Sequence, residues 1–216
     1  MTVYFFDLDG TLLDSNGVWL DIDIEFLGRQ GISPVPEDYT EFVTHNSFGA
    51  SAVYTKERFG LSLSTREIVT AWQELARDHY ANHLPLKPGA KELLNTLCRN
   101  GETVSIVTSC MPHLCAAALK RHAIQDLFHS IHYSHLIGIE KSDPELFRTV
   151  ARLEGLDGDD CILFDDSPDY LAAAKQAGWQ VWGVRDSLFD YRAQEIKSIC
   201  GADRYLQTLS SFIPFL

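Results

Sequence analysis

Beyond Gly101 the chain alternates at short, regular intervals between β-prone apolar runs and helix-like stretches, and this alternation limits the fold more than any other feature. Strand candidates at 103–107, 130–133, 161–164 and 180–184 are separated by helix candidates at 112–122, 144–153 and 168–176, the last closed by Gly178. Strands connected through helices of this length run parallel, because a crossover joins them where a hairpin cannot. A parallel sheet must be covered by helices on both faces. The expected class is therefore α/β. With 216 residues, 45% hydrophobic and 22% charged, the chain is long enough to bury such a core.

A further β-prone run stands at the N-terminus, Val3-Tyr4-Phe5-Phe6, and ends abruptly in Asp7-Leu8-Asp9-Gly10-Thr11. Gly10 permits a sharp turn there, and two carboxylates this close repel unless a cation or a proton sits between them. Alone, the stretch reads equally as an acidic surface turn or as a site. Residues 15–86 read as helix throughout, with no strand signal. Ser64-Thr65-Arg66-Glu67 has capping-box spacing, and Pro85 with Pro88-Gly89 breaks the pattern before a helix at 90–99. The expected organisation is an α/β core from 1–14 and 87–216, with a small all-helical cap domain at 15–86. Inserted directly after the acidic strand end, the cap is placed to act as a lid with hinges at its two connections.

Three more polar stations follow predicted strands. Thr108 and Ser109 offer hydroxyl and amide donors to an anion, or simply cap the next helix. Lys141 offers a mobile point cation. Asp165, Asp166 and Ser167 repeat the pattern of paired carboxylates at the end of an apolar run. The formal net charge of -12 disfavours a nucleic-acid partner, while leaving anionic small molecules open where a divalent cation reverses the local field. Five cysteines without paired metal-ligand spacing suit reduced cytoplasmic thiols, and no run approaches the length of a membrane span.

In order and spacing, Asp7-Leu8-Asp9-Gly10-Thr11, Thr108-Ser109, Lys141 and Phe164-Asp165-Asp166-Ser167 resemble the four motifs of the haloacid dehalogenase superfamily. The helical insertion after the first motif resembles the group containing phosphoglycolate phosphatases and β-phosphoglucomutase. The resemblance implies a Rossmann-like core and a Mg²⁺-dependent phosphatase acting on a small phosphorylated metabolite through an aspartyl-phosphate. It implies Asp7 as nucleophile and Asp9 as acid and base. Thr108, Ser109 and Lys141 would hold the phosphate. Asp7, the backbone carbonyl of Asp9 and Asp166 would hold the metal, with Asp165 ordering its waters or joining directly.

Three departures bear on these expectations. The family's lysine is commonly followed by proline, whereas Lys141 is followed by Ser142-Asp143-Pro144; a glycine usual in the fourth-motif helix is replaced by Tyr170; and the mutase histidine position is occupied by Trp19. The last lowers the standing of the alternative, a sugar-phosphate mutase. A non-catalytic binder of a phosphorylated metabolite or of a protein is the second alternative, and the intact set of reacting groups speaks against it. Among cap residues, Trp19, His45, Asn46, Ser47, Phe48 and Trp72 are candidates to face the substrate, with Trp19 and Ser47 carried forward as substrate contacts.

Overall fold

The computed structural model describes residues 2–44 and 48–216. In chain order, β1 (Val3–Phe6) is followed by α1 (Val18–Arg29), α2 (Glu37–Thr44), α3 (Phe48–Phe59) and α4 (Thr65–Asp78), which runs into a π-helical turn at His79–His83. Then come α5 (Ala90–Arg99), β2 (Thr103–Thr108), α6 (Pro112–Arg121), β3 (Ser130–Tyr133) and a short α7 (Ser134–Ile137). Then follow α8 (Pro144–Glu154), β4 (Cys161–Asp165), α9 (Pro168–Gln176), β5 (Gln180–Val184), α10 (Ala193–Cys200), β6 (Tyr205–Leu206) and a closing 3-10 stretch at Leu209–Phe215. It divides into two compact units, Met1–Asn16 with Leu84–Leu216, and Gly17–His83.

The first unit is a six-stranded sheet in the order β3-β2-β1-β4-β5-β6, parallel throughout. The expected α/β class is the one found. The two-residue β6 lies beyond the alternation read from the sequence. Because the central strands are covered on both faces, they are apolar almost without interruption: all four residues of β1 and all five of β4 are buried. Alternate residues serve opposite faces. Val3, Phe5 and Leu163 join Leu146, Phe147, Leu171 and Trp179 in one core cluster. On the other side Phe6 stacks on Phe164 at 4.6 Å, and Phe212 packs edge-on to Tyr4, Phe164 and Trp182. The helices supply matching stripes, as in α5, where Ala90, Leu93, Leu94 and Leu97 are the buried residues.

The strand order places the functional region. From β1 the chain moves outward through β2 to β3, then returns across to β4 and proceeds through β5 to β6. The carboxyl ends of β1 and β4, hydrogen-bonded neighbours, therefore flank the point where the winding reverses, which is where open α/β sheets bind ligands. On this unit the two segments adjoining the insertion are tied together. Asp14 donates its amide to the Pro85 carbonyl at 3.0 Å and Lys87 to the Leu12 carbonyl at 2.9 Å, while the buried Lys87 ammonium pairs with Asp186 at 2.7 Å.

Every regular element among the described residues of the second unit is a helix. Ser64 and Glu67 form the capping box expected at the start of α4, and α4 buries Ile68, Trp72, Leu75 and Ala76. Trp72 meets Phe26 of α1 edge-on at 5.8 Å, which makes it a core residue of this unit. Beside this packing lies a buried polar chain. Tyr39 donates to the Asp23 carboxylate at 3.1 Å, its hydroxyl lies 3.0 Å from that of Thr55, and Thr55 donates to the Ser51 carbonyl at 2.6 Å.

Candidate active site

Each functional side chain here is set by a strand that stops and a turn that needs little chain. β1 ends at Phe6, but the Asp7 amide still donates to the Phe164 carbonyl at 2.9 Å, so the ladder with β4 carries Asp7 to its place. The chain then curls back: the amides of Leu12 and Leu13 both bond to the Leu8 carbonyl, at 3.0 and 2.8 Å. Gly10 makes this possible twice over. Its φ is +78°, and a Cβ there would run into the side chains of Asn16 and Asp166. Glycine is what allows the first acidic turn to lie directly against the second.

Asp7, Asp165 and Asp166 are all buried, and each brings one carboxylate oxygen within 4.8 Å of the other two. Lys141, 1% exposed, reaches into the same cluster. Its ammonium donates to Asp7 and lies 2.8 Å from a fully buried oxygen of Asp165, a close charge pair. The other Asp165 oxygen accepts the Ser167 amide at 2.8 Å. Asp166 is held by Thr11, whose hydroxyl donates at 3.1 Å, and by Asn16, whose amide donates at 2.8 Å. Asp9 is held by the Ser15 hydroxyl at 2.7 Å, and Ser15 in turn accepts the Gly10 amide at 3.2 Å.

The electrostatics are those of an anionic site short of cations. Burial, then the neighbouring Asp165 and Asp7, raise the Asp166 carboxyl well above the usual carboxylate range. Burial also raises Asp165, against the pull of Lys141. For Lys141 burial acts downward, but Asp165 and Asp7 outweigh it and hold the lysine firmly protonated. Three buried carboxylates thus face one ammonium. A hard divalent cation with oxygen ligands fits this donor set.

The remaining predicted positions fall as follows. Thr108, 1% exposed at the end of β2, accepts the Cys110 amide at 3.0 Å, a bond that leaves its own hydroxyl hydrogen to donate. Ser109 is exposed and accepts from the Ser134 hydroxyl at 3.2 Å. The separation of Lys141 from Pro144 does not displace the lysine. Asp143 caps α8 through the Glu145 amide and Pro144 takes the first helical position, so the helix simply starts later. Trp19 belongs to α1 of the helical unit and is 41% exposed. Ser47, with His45 and Asn46, lies outside the described residues, as does the side chain of Phe48.

Sequence reasoning assigned no role to Thr11, Ser15 or Asn16. Their only local signal is a run of small polar residues within one tight turn of Gly10. It assigned none to Tyr170, whose ring lies 4.8 Å from the Lys141 ammonium.

Comparison with known proteins bears on the family and the fold. The family model of the haloacid dehalogenase-like hydrolases matches residues 4–184. The (DL)-glycerol-3-phosphatase 1, mitochondrial, of Arabidopsis thaliana is 26% identical over 99% of this chain and 72% of its own length. A phosphoglycolate phosphatase of Rhodospirillum rubrum is 25% identical over 80% of this chain and 75% of its own. Among solved structures, a Thermotoga maritima protein assigned as a β-phosphoglucomutase superposes with a TM-score of 0.86 at 20% identity, over 100% of this chain and 98% of its own, a likeness of fold. With its acidic cluster at the winding reversal of the sheet and a family model matched from β1 to the end of β5, the chain belongs to the haloacid dehalogenase-like hydrolases, as an enzyme of the phosphatase kind.

Proposed function

We propose that the chain is a Mg²⁺-dependent phosphatase that hydrolyses the phosphate monoester of a small metabolite through a covalent intermediate on Asp7, with Gly17–His83 as its cap domain. The observation that carries this reading is the buried cluster of Asp7, Asp165 and Asp166 with Lys141 as its cationic contact. Carboxylates so placed would hold Mg²⁺ through Asp7, Asp166 and the Asp9 backbone carbonyl, with Asp165 beside them. Bound there, the ion supplies charge neutralisation for a phosphate dianion approaching an anionic site.

This chain's own residues then divide the work. An Asp7 oxygen attacks phosphorus as the bond from phosphorus to the leaving oxygen breaks, and Asp9 gives that oxygen its proton. Asp9, now a carboxylate, takes a proton from water. The water oxygen bonds to phosphorus, the bond to Asp7 breaks, and inorganic phosphate leaves with Asp7 and Asp9 restored. Ser15 aims the Asp9 carboxylate through its 2.7 Å bond. Thr108, the Ser109 amide and Lys141 meet the transferring oxygens as charge develops. The names of the two sequence relatives, a glycerol-3-phosphatase and a phosphoglycolate phosphatase, support a small phosphate monoester as the substrate class. Among the described residues no helix is long and apolar enough to cross a membrane, and no cysteine is in a disulfide, which suits a reducing cytoplasmic setting.

The test is hydrolysis of p-nitrophenyl phosphate by the purified chain with Mg²⁺ and with EDTA, alongside Asp7→Asn. The reading requires turnover that EDTA stops and that Asp7→Asn abolishes while circular dichroism stays unchanged. Phosphate binding without turnover would favour a binder. Interconversion of hexose 1- and 6-phosphates without net phosphate release would favour a mutase.

A further inference from the structure

We propose that Tyr170 is a positioning residue that holds the Lys141 ammonium and the Ser109 side chain at one fixed spacing for the oxygens of a single phosphoryl group. The proposal rests on the phosphatase reading above for the roles of those two residues. Tyr170 sits in the first turn of α9, directly after the strand end that bears Asp165 and Asp166. Its ring lies 4.8 Å from the Lys141 ammonium, within the range of a cation–π contact. Asp7 and Asp165 draw the same ammonium that lies over the ring. The phenol oxygen meets the Ser109 side chain, which also accepts from Ser134. One rigid side chain with two torsions thus touches the otherwise separate β2 and Lys141 stations.

The physical need is specific to these neighbours. Lys141 ends in a compact ammonium without a planar fork, so its place between Asp7, Asp165 and a phosphoryl group is set by what packs around it. Ser109 is exposed just past the end of β2, where its hydroxyl also meets that of Ser134. Burial raises the Tyr170 phenol, so the hydroxyl stays protonated and the ring stays neutral at working pH. A neutral ring attracts the ammonium without competing with phosphate for charge.

Two variants separate the ring from the hydroxyl. Tyr170→Phe keeps the ring, and Tyr170→Leu removes both contacts while leaving a smaller apolar side chain. Measured are kcat and KM for p-nitrophenyl phosphate, the dissociation constant of inorganic phosphate by calorimetry, and the melting temperature. A cation–π contact of this kind corresponds to roughly a threefold to thirtyfold effect. The expected result is a loss of about tenfold in kcat and in phosphate affinity for Tyr170→Leu, with Tyr170→Phe recovering most of kcat but leaving phosphate binding about threefold weaker. Wild-type kcat and phosphate affinity in Tyr170→Leu would overturn the proposal, as would equal losses in the two variants. If Tyr170→Leu fails to fold, wild-type phosphate affinity in Tyr170→Phe overturns it alone. A wild-type protein that binds phosphate without hydrolysing p-nitrophenyl phosphate would defeat the phosphatase reading instead, and the phosphate affinities would still decide the role of Tyr170.

Discussion

Asp166→Asn should reverse its effect on stability according to whether Mg²⁺ is present. Without metal, the wild-type carboxylate faces those of Asp7 and Asp165 within 4.8 Å, and at an effective dielectric constant near 20 each such pair repels by at least ~3.5 kcal/mol. Proton uptake relieves much of that, in keeping with the upward shift of Asp166. A residual penalty of about 2–3 kcal/mol at neutral pH is left after this relief. The asparagine removes it, keeps an acceptor for the Thr11 hydroxyl, and loses the bond from Asn16, at a cost of about 1 kcal/mol. In EDTA the variant should therefore melt roughly 2–8 °C above the wild type, given about 2–4 °C per kcal/mol for chains of this size. With Mg²⁺ at about a hundred times its dissociation constant, the wild type gains ~2.7 kcal/mol, or roughly 5–10 °C, and the variant gains little. Scanning calorimetry under the two conditions reads the crossing. A wild-type melting temperature that Mg²⁺ leaves unmoved, or a variant less stable than wild type in EDTA, refutes the view of the cluster as a cation site.

Other consequences follow from individual contacts. Ser15→Ala removes the hydroxyl that aims Asp9 and should lower kcat about tenfold with little change in KM, read by steady-state kinetics; a change confined to KM would point to substrate binding instead. Gly10→Ala combines an unfavourable φ with collision against Asn16 and Asp166, so it should cost upwards of ~2 kcal/mol in urea unfolding and abolish the Mg²⁺-dependent gain in melting temperature. In the helical unit, burial raises Asp23 from the usual carboxylate range to about 6, against the hydrogen bond from Tyr39. Because the folded value lies above the unfolded one, the stability Asp23 contributes is fully present below about pH 3.8 and is lost as pH rises through about 6. Asp23→Asn should thus stabilise the chain by roughly 2–3 kcal/mol at pH 8 and by almost nothing at pH 3.5, and equal urea midpoints for the two proteins at pH 8 would contradict it.

What sequence reading reached, and what it missed, divides by the range of the interaction. The strands of the sheet announce themselves because burial on both faces demands unbroken apolar runs, as in Val3–Phe6 and Cys161–Asp165, and each run ends visibly in charge. The paired aspartates at those ends are recognisable for the same reason: a polar group at the end of a buried strand stands out in one dimension. The groups that orient them do not. Asn16 and Thr11 act on Asp166 across about 150 positions of chain, and nothing local distinguishes them from the polar residues of any turn. The two residues of β6 are too few to show a period, and the packing of Phe212 on Tyr4, Phe164 and Trp182 depends on a tail whose composition alone does not say which face it covers.

Tyr170 is the instructive case, because its departure from the resembled pattern was visible and its consequence was not. A tyrosine where a small residue is usual reads in sequence only as extra bulk on a helix. In three dimensions the first turn of α9 starts where β4 delivers Asp165 and Asp166, and from that turn the Tyr170 side chain reaches Lys141 and Ser109 while Asp169 turns to Arg192. The same strand-end geometry that makes the carboxylates legible leaves little choice to what surrounds them. A substitution at such a turn therefore acts on the spacing of charges before it acts on stability, and the Tyr170→Phe and Tyr170→Leu pair distinguishes these effects because phosphate affinity responds to the first and melting temperature to the second.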